Sequence, residues 1–137
     1  MTYLLDTNVC IALMKEWRSP VRDHYERARG DRALFFVPSV VVFELWFGAG
    51  KSDRVEANSG RLRGFLSGEI TELPLDSDDA RAAGLLRAEL ERAGRPIGPY
   101  DLLIAGQAIN RKLTLVTANE SEFARVKGLR TVNWARG

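Results

Sequence analysis

Short apolar runs alternate with longer stretches of helical character along this chain, and this alternation limits the possible folds more than any other feature. Runs without a polar face are typical of strands buried on both sides, as in parallel sheets. Parallel strands need a crossover between them, usually a helix. The alternation therefore predicts an α/β fold in which helices cover both faces of a mostly parallel sheet. The predicted strands are Tyr3–Leu5, Ala33–Val37, Ile70–Leu75, Leu113–Thr117 and Leu129–Trp134.

The helices are predicted from their start and stop signals, namely capping residues or proline at the start and glycine at the end. The stretch after Pro38 is ambiguous, because three valines favour a strand while Ser39 as N-cap and Gly48 as a stop favour a helix. We interpret it as a helix, which places Glu44 on an apolar stripe with Val40, Phe43 and Phe47. The other predicted helices are Cys10–Lys15, Val21–Arg29, Arg54–Leu66, Ser77–Ala93 and Leu102–Asn110.

Composition bounds the kind of protein this is. A chain of 137 residues with 45% hydrophobic residues suits one globular domain, residues 1–137, and excludes a disordered class. No apolar run is long enough for a membrane span and no signal peptide is evident, so we expect a cytoplasmic protein. The single Cys10 is expected in the core. The net charge is only +2, which permits nucleic-acid binding without demonstrating it.

Two apparent ligand motifs have simpler explanations. The run Gly48–Ser52 imitates a phosphate-binding loop, but Leu45 stands where that motif needs glycine, and the run follows a helix. The acids Asp76, Asp78 and Asp79 are dense enough for a metal site, yet helix capping explains them more simply.

Four polar residues share a distinctive placement. Asp6 and Asn119 directly follow predicted strands, Asp101 stands at a helix start, and Glu44 is on an otherwise apolar helix. In a parallel sheet the carboxyl ends of strands and the starts of the following helices meet at one edge. We therefore expect these four side chains to converge. Carboxylates so close together are unfavourable unless a cation lies between them.

Oxygen ligands of this kind suit Mg²⁺, with Mn²⁺ as a substitute, held by Asp6, Glu44 and Asp101. Without a cluster of histidines and cysteines, zinc is not expected. A divalent ion held by carboxylates activates water and neutralises charge on a phosphodiester oxygen. Thr7 is expected either to position Asp6 or a bound phosphate, or simply to cap the first helix.

The motifs, taken together, resemble those of PIN-domain nucleases, specifically the VapC-type toxins of bacterial toxin–antitoxin pairs. The resemblance spans nearly the whole chain in order. It rests on Leu4-Leu5-Asp6-Thr7-Asn8, Pro38-Ser39 with Glu44-Leu45, the stretch Ile97–Ala105, and Leu115–Asn119 with Glu122-Phe123.

This resemblance implies a three-layer α/β/α PIN-like fold with about five strands and a Mg²⁺-dependent endoribonuclease that cuts structured RNA such as tRNA. It also implies a small cognate antitoxin and assembly as a homodimer or toxin–antitoxin hetero-oligomer. Asp6, Glu44 and Asp101 carry over as the acidic core, and Asn119 as a fourth site residue. Many relatives have an acid at the position of Asn119, so Glu120 and Glu122 are the candidates to compensate; for Glu122 a surface or structural role is the alternative.

Two other functions remain open at this stage. One is a non-catalytic RNA- or protein-binding module on the same fold, although such a module is expected to have lost one of the three acids. The other is a metal-dependent phosphatase or DNA nuclease with a similar set of carboxylates.

Partner-binding residues are predicted less directly. Lys51, Arg54 and Arg95 lie near the carboxyl edge of the strands in sequence and are expected to contact RNA phosphates. Trp46 is expected to point away from the site and to anchor the antitoxin, with Phe47 facing inward. Leu62, Phe65 and Leu66 form one helical stripe that either packs on the sheet or binds the partner.

Overall fold

Five strands and seven helices alternate along residues 1–136, the part of the chain that this computed structural model describes. The strands are β1 (Thr2–Leu5), β2 (Leu34–Pro38), β3 (Thr71–Leu73), β4 (Thr114–Val116) and β5 (Thr131–Val132). The helices are α1 (Thr7–Lys15), α2 (Pro20–Gly30), α3 (Ser39–Lys51), α4 (Val55–Leu66), α5 (Ser77–Arg92), α6 (Pro99–Arg111) and α7 (Glu120–Phe123).

The strand order is β3-β2-β1-β4-β5, and every strand is parallel to its neighbours. The chain proceeds from β1 to one edge through β2 and β3, then crosses back to β4 and β5 on the other side of β1. Right-handed crossovers place α1–α4 on one face of the sheet and α5–α7 on the other. The predicted three-layer α/β/α fold with a parallel sheet of five strands is confirmed.

The middle of the sheet is fully apolar. Leu4 and Leu5 of β1 and Leu115 and Val116 of β4 have no exposed surface, and Ile104 of α6 packs into the same core without exposure. Burying a side chain of this size contributes about 1.5–3 kcal/mol, so the two central strands are firmly held. Successive strands are added on one side of β1 up to β3 and on its other side from β4 onward, so the direction of winding reverses between β1 and β4. Sheets of α/β proteins bind ligands at the carboxyl ends of the strands beside such a reversal.

Helices α5 and α6 approach each other very closely. A Cβ atom added to Gly106 would lie 2.6 Å from the Cα atom of Ala83, so only glycine allows this approach. The helix α5 begins with a capping box in which Asp76 and Asp79 each accept a hydrogen bond from the other's backbone N–H. The capping explanation of these two acids therefore agrees with the structure.

The same Asp79 also joins α5 to α6. Its side chain is fully buried and accepts hydrogen bonds from Gln107 (3.2 Å), Asn110 (2.8 Å) and Arg111 (3.1 Å). Burial alone would raise the pKa of this carboxyl, but the hydrogen bonds from Arg111, Asn110 and Gln107, together with the backbone of the cap, lower the pKa to about 2. This acid is structural.

The stripe expected on α3 is oriented differently. Phe43 and Phe47 are 54% and 62% exposed, so the inward orientation of Phe47 is wrong. Other apolar residues of α3 fill the core instead, because a helix buries the face that lies against the sheet. The buried residues of α3 are Val41, Val42, Leu45 and Ala49.

Element ends also differ from the expectations. Ser39 is not the N-cap of α3, since its hydroxyl donates to Glu72 at 2.6 Å. The edge strands β3 and β5 are shorter than predicted, because each pairs with a neighbour on one side only. The short helix α7 was not anticipated. Along residues 1–136, no helix combines the length and apolar composition needed to cross a membrane.

Candidate active site

The site begins at the reversal of winding, where Asp6 follows β1 and Thr117 follows β4. Asp6 is the N-cap of α1, and its carboxylate accepts hydrogen bonds from the Thr7 N–H (2.8 Å) and the buried Thr117 hydroxyl (2.7 Å). Its own N–H donates to the Val116 carbonyl at 3.0 Å. Asp6 is therefore fixed from both central strands, and its carboxylate is held at their ends.

Glu44 is brought to Asp6 through Thr7. The Thr7 hydroxyl donates to Glu44 Oε1 at 3.0 Å, across 37 residues of sequence. Asp6 is the residue that caps α1, so Thr7 does not have that role. The Thr7 hydroxyl positions Glu44 instead. The buried face of α3 fixes the helix on the sheet, so Glu44 lies at the edge of that face, half-buried.

Asp101 lies in the first turn of α6, after Gly98 and Pro99. Burial, followed by the charges of Glu122, Asp6 and Glu44 and a hydrogen bond with Glu122, raises the pKa of Asp101 to about 6. A helix N-terminus normally favours an anion, so the neighbouring carboxylates outweigh that effect here. The three predicted acids are thus within electrostatic reach of one another.

Glu122 is a fourth acid at the site. Its carboxylate accepts the Gly98 N–H at 2.6 Å and the Asn119 side-chain amide at 3.1 Å. The hydrogen bond from the Gly98 backbone, then that from Asn119, lowers the pKa of Glu122. The two neighbouring carboxyls therefore differ, because the pKa of Asp101 is raised while that of Glu122 is lowered.

Asn119 is exposed and lies at the border of the site. Its backbone N–H donates to the Thr117 hydroxyl at 3.0 Å, and its side chain points an N–H at Glu122. The direct neighbour of the acids is therefore Glu122, with Asn119 orienting it. Glu120, the other possible compensating acid, bonds instead to Asn133 at 3.2 Å and to Arg136.

Negative charge dominates the cluster of Asp6, Glu44, Asp101 and Glu122. Among residues 1–136, no Lys, Arg or His forms an ion pair with any of the four. Nor do three potential ligand side chains in this range already lie close enough together for a ready metal site. The oxygens are the kind that Mg²⁺ prefers, and at present they bond to threonine hydroxyls and backbone N–H groups.

The other possible reactive side chains lie outside this cluster. The ring of His24 stacks on Trp134, and Cys10 is fully buried with its pKa raised by burial and by Asp6. The expected core role of Cys10 agrees with this environment. A nucleophile activated by histidine is thus absent from the described part of the site.

An open cavity of about 320 Å³ adjoins the acids. Thr7 and Glu44 line it on the side of the site, and three aromatic side chains, Phe43, Phe47 and Tyr100, line the rest. The acidic cluster therefore opens onto an aromatic surface.

The side chains expected to bind partners are distributed around the site. Lys51 lies over the Phe47 ring, with its ammonium 5.7 Å from the ring centroid, while Arg95 lines a separate cleft with Arg125 and Lys127. Arg54 is exposed at the start of α4.

Trp46, 36% exposed, lies against the Arg63 guanidinium. Leu62 is buried, and Phe65 and Leu66 are half-buried against the core, so this stripe packs inside.

Comparisons with known proteins identify the family of this chain. The family model described as PIN domain matches residues 3–129. The chain is 42% identical to the tRNA(fMet)-specific endonuclease VapC of Shigella flexneri over 135 residues, covering 98% of this chain and 99% of the relative. It is 39% identical to the protein of the same name from Salmonella typhimurium, with 98% of each chain covered.

Solved structures give the same result. The VapBC2 structure from Rickettsia felis, bound to a DNA fragment from its promoter, matches with a TM-score of 0.89 and 35% identity, covering 98% of this chain and 99% of that one. The DNA-bound VapBC structure from Salmonella typhimurium matches with a TM-score of 0.87 and 38% identity, covering 98% of both chains.

Proposed function

Because this chain belongs to the PIN-domain family, among the VapC-type ribonucleases, we propose that it is the toxin of a toxin–antitoxin pair and cuts structured RNA such as tRNA. The observation that carries this proposal is the cluster of Asp6, Glu44, Asp101 and Glu122 at the reversal of winding in the sheet. Within residues 1–136 none of these four acids forms an ion pair, and the cluster adjoins an open cavity. Residues 1–137 act in this proposal as one nuclease domain.

A divalent cation is the natural complement of this cluster. We assign Asp6, Glu44 and Asp101 as the residues that hold Mg²⁺, for which Mn²⁺ can substitute, with Glu122 beside them. The support is that burial, followed by the charges of the neighbouring acids, raises the pKa of Asp101, so ionising this carboxyl is unfavourable unless a cation binds beside it. When bound, such an ion supplies an activated water and neutralises charge on a phosphodiester oxygen.

The chain's own contribution is to hold oxygens in place and to leave room for RNA. Thr117 and Thr7 donate hydrogen bonds that fix Asp6 and Glu44. Asn119 belongs to the site in this proposal as the residue that orients Glu122. Since fixed groups lose little freedom when substrate binds, this arrangement favours positioning of the scissile phosphate.

RNA capture is assigned to cations around the cluster. Lys51, Arg54 and Arg95 are exposed and can neutralise phosphates on either side of the cut. RNA affinity is then expected to fall steeply with salt concentration, because each neutralised phosphate releases counterions. A flat salt profile from 50 to about 300 mM would exclude this electrostatic contribution.

An inhibitor is part of the same proposal, because a ribonuclease of this kind in the cytoplasm would damage its own cell. The Rickettsia and Salmonella matches are VapBC structures. We propose a small cognate antitoxin for this chain, bound to a homodimer or in a hetero-oligomer. An antitoxin arginine facing Asp6 and Asp101 would replace the metal's charge with a guanidinium.

The decisive experiment compares three substrates. Purified protein is incubated with RNA, duplex DNA and a phosphomonoester, first in Mg²⁺, then in EDTA, and then with Mg²⁺ restored. The proposal expects cleavage of RNA alone, lost in EDTA and regained with Mg²⁺, with Mn²⁺ as an alternative ion. RNA binding without cleavage would identify a non-catalytic module, and turnover of either other substrate would identify a different hydrolase.

A further inference from the structure

Three large aromatic side chains stand exposed together beside the acids. Phe43 and Phe47 from α3 and Tyr100 from the first turn of α6 are 54%, 62% and 48% exposed. They line the same cavity of about 320 Å³ that Thr7 and Glu44 border. Exposed apolar residues that are scattered need no explanation, but a cluster at the mouth of a site marks a binding surface.

The three rings form one aromatic surface on the cavity wall. Phe43 and Tyr100 meet edge to face, with centroids 5.7 Å apart and ring planes at 65°. Phe47 lines the same cavity beside this pair. Lys51 is near the Phe47 ring, so a positive charge lies beside the aromatic surface.

We propose that this aromatic pocket, formed by Phe43, Phe47 and Tyr100, binds an unpaired nucleobase next to the bond that is cut. The inference rests on the proposed ribonuclease function and specifies how that site selects RNA. Bases of single-stranded loops can be splayed out and stacked on aromatic side chains, whereas bases inside a helix cannot. Stacking tolerates any base, because every base has a π-face.

The position of the pocket favours a nucleobase over a protein side chain. Glu44 belongs both to the acidic cluster and to the cavity wall, and Thr7, which donates to Glu44, lines the cavity beside it, so a strand crossing the acids continues onto the rings. Lys51 provides a cation for the phosphate that joins this base to the next nucleotide. An apolar protein segment would instead cover the Glu44 carboxylate and remove it from water, which is costly.

The pocket would thus make loop structure a requirement for cleavage. A duplex offers no base to the rings, while a hairpin loop offers one on each side of a phosphate. The acidic site acts on a phosphodiester backbone that all RNA shares. The aromatic pocket would determine which part of an RNA is positioned at that site.

The test uses hairpin RNAs carrying 2-aminopurine, whose emission falls when it stacks, at either nucleotide flanking the mapped cut. Binding is measured in EDTA and cleavage in Mg²⁺. Wild-type protein should quench the probe at one flanking position. Phe47→Leu and Tyr100→Leu, which keep apolar bulk but lose the ring, should lose most of that quenching. Their KM should rise about tenfold with kcat within twofold, and Phe47→Tyr should retain wild-type behaviour.

The matched control is Trp17→Leu, because Trp17 is 86% exposed and lies beyond the far end of α1 from Thr7. It should change neither quenching nor KM. Unchanged KM and quenching in Phe47→Leu and Tyr100→Leu would overturn the inference and leave the ribonuclease function standing. So would loss of antitoxin binding or dimerisation in these variants with RNA behaviour intact. A wild-type protein that neither cuts nor binds RNA would remove the proposed function as well.

Discussion

At the scale of the residue, the environment of each carboxylate decides its role. Asp79 and Asp101 both lie in the first turn of a helix. Burial acts to raise the pKa of both, but hydrogen bonds, those from Arg111 first, lower the pKa of Asp79, whereas the charges of neighbouring acids raise the pKa of Asp101 further. A carboxylate that accepts hydrogen bonds and pairs with an arginine is structural. A carboxylate that is repelled by neighbouring acids is available to bind a cation.

Replacing Asp101 by Asn tests this distinction. The folded pKa of about 6 exceeds the ordinary value of 3.8, so the stability that Asp101 contributes is complete below about pH 4 and is lost as pH rises through 6. In EDTA at pH 7.5, Asp101→Asn should therefore raise Tm by about 2–5 °C. At pH 4 the two melting curves should coincide. RNA cleavage in Mg²⁺ should be abolished, and Asp6→Asn should abolish it as well.

Wild-type cleavage by Asp101→Asn would remove Asp101 from the reaction. A lowered Tm at pH 7.5 would instead show that the carboxylate is structural.

Replacing Asn119 by Asp tests the orienting role. The change places a carboxylate where an amide now donates to Glu122 at 3.1 Å, so the two side chains should repel each other. We expect the Mg²⁺ concentration for half-maximal cleavage to shift severalfold, while RNA affinity in EDTA stays within about twofold.

Asn133→Asp is the matched control, because Asn133 makes a similar bond to Glu120, at 3.2 Å. Identical Mg²⁺ midpoints for wild type and Asn119→Asp would place position 119 outside the metal site.

At the scale of the element, glycine positions separate close packing from open surface. In α6, Gly106 faces Ala83 with no space for a methyl group, whereas Gly84 in α5 has no atom within 4 Å of an added Cβ. The two glycines lie in neighbouring helices that pack on each other, so they form a matched pair.

Gly106→Ala should destabilise the protein by about 1–3 kcal/mol, because backbone atoms of α5 must move. Gly84→Ala should stabilise it by about 0.5–1 kcal/mol, because alanine loses less conformational entropy in a helix. Urea denaturation of both variants measures the two free energies of unfolding. Equal effects in the same direction would contradict the close contact between α5 and α6.

Elements with a single strong signal were predictable from sequence. The buried β1, the capping box of α5 and the proline at the start of α6 all depend on local chemistry, which the sequence displays directly. The face of α3 that is buried could not be predicted from the sequence. Phe43 and Val42 are both apolar, and only the position of the sheet determines which of them is buried.

The placement of the acids could be predicted from the sequence where an acid directly follows a strand or begins a helix. Asp6, Glu44 and Asp101 come together because a parallel sheet brings those ends to one edge. The place of Glu122 beside them depends on α7 and on the Gly98 N–H, 24 residues away in sequence. No local pattern encodes that contact, although an acid three residues after Asn119 was a signal.

At the scale of the whole molecule, the exposed surface is divided between substrate and partner. Phe43, Phe47 and Tyr100 face the cavity of the site, while Trp46 lies with Arg63 of α4. Large aromatic residues that keep some exposure are common anchors of interfaces. The proposed antitoxin contact through Trp46 is therefore separable from RNA binding.

Trp46→Ala should weaken the complex with the cognate antitoxin by about 2 kcal/mol without lowering RNA cleavage. Calorimetric titration of wild type and variant with purified antitoxin measures the difference, and Trp17→Ala is the control for an exposed indole outside the interface. An unchanged affinity for Trp46→Ala would remove this residue from the contact. If the small protein encoded beside this chain does not bind the wild type, the toxin assignment itself fails.

The order of the strands also determines when this enzyme can become active during its own synthesis. Strand β1 leaves the ribosome first, yet one of its two neighbours is β4, and Asp6 is held by Thr117, which is 111 residues away in sequence. A nascent chain therefore carries its first acid long before it can assemble the site. Ribosome-bound chains stalled before residue 114 should leave RNA intact, so a cell needs antitoxin only against chains in which β4 has been made.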